Sequence, residues 1–407
     1  MHNTHSKAFL NSVPAFVWAA IFLRICWAFF VPVDPVSDSL AYKTFAASIA
    51  NGAGYAYSSG QLTAYWPVGT SAFYALIHYV FGNSSYALLV VNIAIGAGIA
   101  YLTYLLSLRY FGQKVAACAG WLVALWPVLI QFTTVYSSEL LFTLLLLATL
   151  QVWSLQHLNG ALKACLWGAL LCAAIYVRPT ALPLYFILPV LHLWKTRDFR
   201  EAVKSGLVAV LTGAVLFAPW VMRNQAIFGQ PVLVSANFGS NLWMGNNPLS
   251  KGEYMPLPEI QFENEVIRDQ HFKTLAVDFI KANPAEYAKL AIRRFVITYD
   301  RETIGVAWNQ SALAKLFGND ALSPLKLVSS LYWWLVAGLA ALGICWALWV
   351  RETSIFNPLI VVSAFFFLVP VLTVGQDRYH LPLDPFFAVF AAYAMQQAFQ
   401  LFRNKQS

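Results

Sequence analysis

The chain predicts an all-α polytopic membrane protein, and three observations carry that prediction. Of 407 residues, 59% are hydrophobic and 11% charged, with a mean hydropathy of +0.60, more apolar surface than an ordinary soluble core can hide. The apolar residues fall in runs close to the ~20 that one bilayer crossing needs. Lys and Arg gather in alternate short connections, as the positive-inside rule requires.

On this basis about ten transmembrane helices are expected, at 12–33, 85–108, 115–131, 140–157, 162–177, 180–194, 205–222, 327–349, 355–374 and 383–402. With the N-terminus inside, the inner loops hold eleven basic residues, Lys7, Arg109, Lys114, Lys163, Lys195, Arg197, Arg200, Lys204, Arg351, Arg403 and Lys405. The short outer loops hold three, Lys43, Arg178 and Arg378. The same clustering argues against nucleic acid as the reason for the net charge of +8. The first run is about as long as a crossing and lacks a small-residue cleavage site, so a retained helix is expected there. Cys26, Cys118, Cys165, Cys172 and Cys345 lie in apolar runs without metal-ligand spacing and read as buried hydrophobes.

Three polar stretches interrupt this pattern, and charge bias puts all of them outside. The organisation expected is a module over 1–222 with a first outer loop at 34–84, an outer cap at 223–326, and C-terminal helices over 327–407 with a hairpin at 375–382. In the first loop, Tyr42, Phe45, Ala46 and Ile49 recur at helical spacing, and a second apolar stretch starts at Pro67. Both read as interfacial helices. The segment 223–247 reads as ordered loop with short strand, and 262–294 as helix broken at Asn283-Pro284.

Several residues here carry possible chemistry. Asp38 reads either as a general base beside apolar groups or as a helix N-cap, and Asp34, before Pro35, as a turn residue. Glu139 opens a helix, where the macrodipole alone accounts for it, yet it shares the outer side with Asp38. Arg178, Arg223 and Arg378 mark outer helix ends. Each could anchor a helix, and together their rigid forks suit a phosphate. Arg24, near the middle of the first helix, needs a partner or a cavity. No phosphate-loop, DxD or paired-repeat signature is present, so neither a nucleotide site nor a catalytic metal is implied.

Ordered landmarks then resemble a known family: Asp38-Ser-Leu-Ala-Tyr42, Gly52-Ala-Gly54-Tyr55, Trp66-Pro67-Val-Gly69, Ser138-Glu139, Arg223-Asn224, Asn241-Leu-Trp243-Met-Gly245-Asn246 and Asp377-Arg378-Tyr379-His-Leu-Pro382. The chain resembles the GT-C membrane glycosyltransferases, in particular the group related to protein O-mannosyltransferases and the lipid A aminoarabinose transferase. The resemblance implies the GT-C fold and inverting transfer from a polyprenyl-phosphate-linked sugar to an acceptor hydroxyl on a glycolipid, glycan or protein. It implies a multi-pass protein of the bacterial inner membrane working on the periplasmic side, with no cofactor. By the same resemblance Asp38 and Glu139 are catalytic; Arg178, Arg223 and Arg378 are then expected to hold the donor phosphate, and Tyr42, Asn224, Asn241, Asn246, Tyr379 and His380 to contact substrate. A flippase of a lipid-linked sugar or a glycan polymerase would share the helices and arginines.

Overall fold

The computed structural model describes residues 13–156 and 158–404. The expected helix start at residue 12 and the basic residues Lys7 and Lys405 lie outside the described residues.

Helices occur at all ten apolar segments. The chain runs α1 (Ala15–Phe30), α2 (Ser37–Ala50), α3 (Val68–Phe81), α4 (Ser85–Ala124), α5 (Pro127–Gln131), α6 (Ser138–Trp153), α7 (Gly160–Val177), α8 (Leu184–Thr196) and α9 (Phe199–Phe228). It continues through α10 (Phe238–Gly245), α11 (Glu265–Ala282), α12 (Pro284–Tyr299), α13 (Ile304–Trp308), α14 (Gln310–Phe317), α15 (Leu322–Trp349), α16 (Pro358–Leu372) and α17 (Asp384–Asn404). Among the described residues, four helices are individually long and apolar enough to cross a membrane. A fifth span results if Pro127–Thr134 and Ser138–Trp153, bent by 120°, count as one. Others, such as α1 and α16, are apolar but shorter, at 16 and 15 residues, or about 24 Å and less of rise. The chain is an integral membrane protein.

Breaks follow local chemistry. Two expected crossings merge in α4, which kinks where Gly112 takes φ 80. The expected crossing 115–131 ends early, because Pro127 has no N–H to continue α4 and instead starts α5. The cap helices separate at Asn283, before Pro284, as the sequence predicts. One expectation fails: 223–247 forms no strand. The helix expected to stop at 222 runs on to Phe228, Gly229 ends it at φ 69, and α10 follows. Asn and Gly here serve as helix ends, which composition does not distinguish from strand ends.

Close packing explains Arg24. It is fully buried in α1, with its Nη1 donating to the carbonyls of Ala20 (3.1 Å) and Ala124 (3.5 Å) and no carboxylate partner among the described residues. Its stem lies against Gly96 of α4, where an added Cβ would stand 2.1 Å from Nε. Gly96→Ala is therefore expected to destabilise the protein by roughly 1–3 kcal/mol, read as a lower unfolding temperature in detergent. An unchanged temperature would mean that α1 and α4 do not pack this closely.

Candidate active site

The site forms at one end of the helical bundle, where three sequence-distant segments converge. The first is the start of α2. Val36 is its N-cap and no side chain caps it, so Asp38 is free for another partner. Ser37 takes φ 51, a left-handed conformation that is costly for a residue with a Cβ and of the kind found where function demands a side chain. Ser39 Oγ accepts from the backbone N–H of Tyr136 at 3.1 Å, fastening α2 to the segment before α6. That segment is held in turn by Asn92, whose amide donates to the carbonyls of Thr133 and Val135.

The second segment is the start of α6 with the end of α7. Arg178, the C-cap of α7, donates from Nη2 to Glu139 Oε1 at 2.5 Å and to Ser138 Oγ at 3.1 Å. The third is the 3-10 turn Asp377–Leu383 between α16 and α17. From it Arg378 pairs Nη2 with Asp38 Oδ2 at 2.7 Å and Nη1 with Glu139 Oε1 at 3.9 Å, while its Nε donates to Gln376 at 2.7 Å. The result is a chain of alternating charge, Asp38–Arg378–Glu139–Arg178. Burial opposes the charge on Arg378, but Asp38, then Tyr379 and Glu139, outweigh it and hold the guanidinium protonated.

Exposure separates the two carboxylates. The Asp38 side chain is 26% exposed and Glu139 0%, with Arg178 and Arg378 at 16% and 12%. Solvent can reach Asp38; Glu139 lies beneath the arginines and sets their positions. Of the two carboxylates expected to be catalytic, Glu139 is the one fully covered here, by Arg178 and Arg378.

Around this chain, the Tyr379 ring lies between the guanidiniums, 5.8 Å from Arg178 and 5.5 Å from Arg378, and Arg378 also lies over Trp308 at 5.0 Å. Tyr42 is buried among Asp38, Glu139 and Arg378; burial and then the two carboxylates raise its pKa, so its hydroxyl stays protonated. A cavity of about 260 Å³ opens beside Arg378, lined also by Ser37, Arg301, Trp308 and Gln376. It is at the small end of ligand sites, roughly 300–1,000 Å³.

Other expected site residues lie elsewhere. Arg223 donates to the carbonyls of Thr63 and Tyr55 and to Asn224 Oδ1, tying the first-loop hairpin to α9 instead of joining the other arginines. Glu265 of α11 anchors the same hairpin through Thr63 and the Ala64 N–H. Asn224 and Asn246 are buried, and their amides are spent on the carbonyls of Val232 and of Leu242 and Thr373, while Asn246 Oδ1 accepts from Arg294. His380 is buried against Glu302 and Trp333. Burial leaves these three no accessible polar atom, and their hydrogen bonds tie neighbouring segments together. Asn241 is half-buried on α10, and Asp34 is exposed between α1 and α2. The sequence reading missed Trp308, Gln376 and the fastening role of Ser39; only Ser39, beside Asp38, was signalled by position.

Comparison with solved structures then decides the architecture. The chain aligns over 96% of its length with ArnT from Cupriavidus metallidurans bound to undecaprenyl phosphate, at a TM-score of 0.58 and 11% identity, covering 61% of that chain. The chain has the GT-C fold. A similar GT-C match is the oligosaccharyltransferase AglB from Archaeoglobus fulgidus in complex with an inhibitory peptide and a dolichol-phosphate (TM-score 0.57, 12% identity, 96% of this chain and 51% of that one). The Archaeoglobus fulgidus oligosaccharyltransferase tethered to an acceptor peptide also matches (TM-score 0.55, 13% identity, 95% and 49%). The chain thus spans about half to three-fifths of the length of these structures. The sequence model of the dolichyl-phosphate-mannose-protein mannosyltransferase family matches residues 66–222, which include Glu139 and Arg178 but neither Asp38 nor Arg378. No curated protein matches the chain.

Proposed function

We propose that this GT-C protein is an inverting glycosyltransferase that moves a sugar from a polyprenyl-phosphate-linked donor to an acceptor hydroxyl of a glycolipid, glycan or protein. The observation that carries the reading is a solvent-reachable carboxylate, Asp38, paired with Arg378 and adjoining Arg178 through Glu139. Acceptor activation and leaving-group stabilisation need these two kinds of group side by side. The acceptor O–H gives its proton to Asp38 as its oxygen attacks the anomeric carbon from the face opposite the phosphate. The bond from the anomeric carbon to the phosphate oxygen breaks, and polyprenyl phosphate leaves with one more negative charge. The guanidiniums of Arg378 and Arg178 stabilise that charge, with Glu139 fixing both.

In this reading the Asp38–Arg378 pair is the resting state, and an arriving phosphate takes over part of Arg378. The charge bias of the short loops supports an outer, periplasmic site in a bacterial inner membrane. A lipid-linked donor already lies in the bilayer, so a site at the end of a helical bundle suits it.

The test is incubation of detergent-purified protein with polyprenyl-phosphoryl sugars and candidate acceptors. Polyprenyl phosphate released only when acceptor is present supports transfer. A lipid-linked sugar carried across a liposome bilayer without release would support a flippase and overturn the proposal.

A further inference from the structure

Behind the arginine chain lies a second cluster that the proposed reaction does not use. Glu302, in the loop between α12 and α13, His380, in the 3-10 turn, and Asp384, at the start of α17, are all fully buried. One ligand atom from each lies within 4.8 Å of the others. His380 and Asp384 stand four residues apart, but Glu302 lies nearly eighty residues before them, and only the fold brings it to the pair.

Two independent features point to a ligand. Both carboxylate oxygens of Asp384 are buried without a hydrogen-bond partner, although nearly every buried polar atom in a folded protein has one. His380 is also oriented as a ligating histidine. Its Nδ1 lies 2.7 Å from the Thr298 carbonyl, which can only accept, so Nδ1 carries the proton. That leaves the Nε2 lone pair facing Glu302 Oε1 at 3.2 Å. Two ligands at about 2.0–2.1 Å from a tetrahedral ion stand about 3.3 Å apart, so this spacing also accommodates neighbouring ligands of one ion.

Electrostatics gives the same answer. No lysine or arginine pairs with the three among the described residues, and with Nε2 unprotonated His380 brings no positive charge either. The Trp126 indole N–H reaches both oxygens of Glu302 at 3.0 and 3.1 Å, which satisfies one carboxylate and not the other. Two buried carboxylates need a cation or a proton. A proton shared with Glu302 would engage one oxygen of Asp384 and leave the other without a partner. A divalent ion satisfies both Asp384 oxygens, Glu302 and the Nε2 lone pair together.

We infer that Glu302, His380 and Asp384 form a buried site for one divalent transition ion of the zinc or manganese class. One nitrogen and carboxylate oxygens suit these metals, and the absence of any exposed ligand makes the site structural. The ion staples the 300–303 loop, the 3-10 turn and α17 to one another. Thr303 already bonds Asp377 in that turn at 2.8 Å, and Arg378 lies two residues before His380. The ion therefore fixes the turn that aims Arg378 at Asp38. The inference does not depend on the reaction proposed above.

The experiment is elemental analysis of the tag-free protein purified in detergent, with thermal unfolding before and after prolonged chelation. About one zinc or manganese ion per chain is expected, with an unfolding temperature roughly 5 °C lower after removal and recovered on adding the metal. His380→Gln and Asp384→Asn should each lose the ion. X-ray absorption of the parental protein should show nitrogen and oxygen neighbours and no sulfur, which keeps the test open if both variants fail to fold. A metal-free parental protein whose unfolding temperature ignores added zinc and manganese overturns the site, as does full metal content in both variants.

Discussion

Asp38→Asn is expected to lower turnover by roughly 10²–10⁴-fold while the protein stays folded and donor affinity changes little. Asparagine keeps the size of the side chain and one acceptor for Arg378, but it cannot take the acceptor's proton. Asp38 is also the one carboxylate of the charge chain that solvent can reach, at 26% exposure against 0% for Glu139. The measurement is kcat and donor KM with a polyprenyl-phosphoryl sugar, alongside thermal unfolding. Parental turnover in a folded Asp38→Asn protein would remove Asp38 as the base.

Arg378→Ala is expected to weaken donor binding by roughly 10–100-fold, the worth of a charge-assisted hydrogen bond of about 1.5–3 kcal/mol, and Arg378→Lys by less. Lysine restores a point charge but not the fork that reaches Asp38, Glu139 and Gln376 together. Alanine additionally leaves Asp38 without its cation, so turnover should fall as well. Donor affinity is to be measured by direct binding of the lipid-linked sugar. If both substitutions leave it unchanged, Arg378 is not part of the phosphate site.

Much of the fold was legible because its signals are local. Hydropathy summed over a crossing placed helices at every one of the ten segments, and the Pro284 break divided the cap helices where expected. The failures were local too. A proline at 127 cut short a run that hydropathy alone carries through, and Asn-Gly-rich sequence after Arg223 fits a helix end as well as a strand. At the site, residue chemistry singled out Asp38, Glu139, Arg178 and Arg378, and the structure brings these four together. It separates Arg223 from them, because guanidinium chemistry is the same whether the fork meets a carboxylate or, as here, backbone carbonyls.

The sequence by itself determined the membrane class and the helical segments, since each depends on composition within one turn or one crossing. Only the tertiary structure decided that Asp38 is a paired and reachable carboxylate and not a cap, that Glu139 is buried beneath two arginines, and that His380 turns inward to Glu302 and Asp384. Those are questions of partner and exposure. They are settled by energies between groups far apart in the chain, where a buried charge must find its counterpart or stay neutral, and no local pattern records which counterpart it finds.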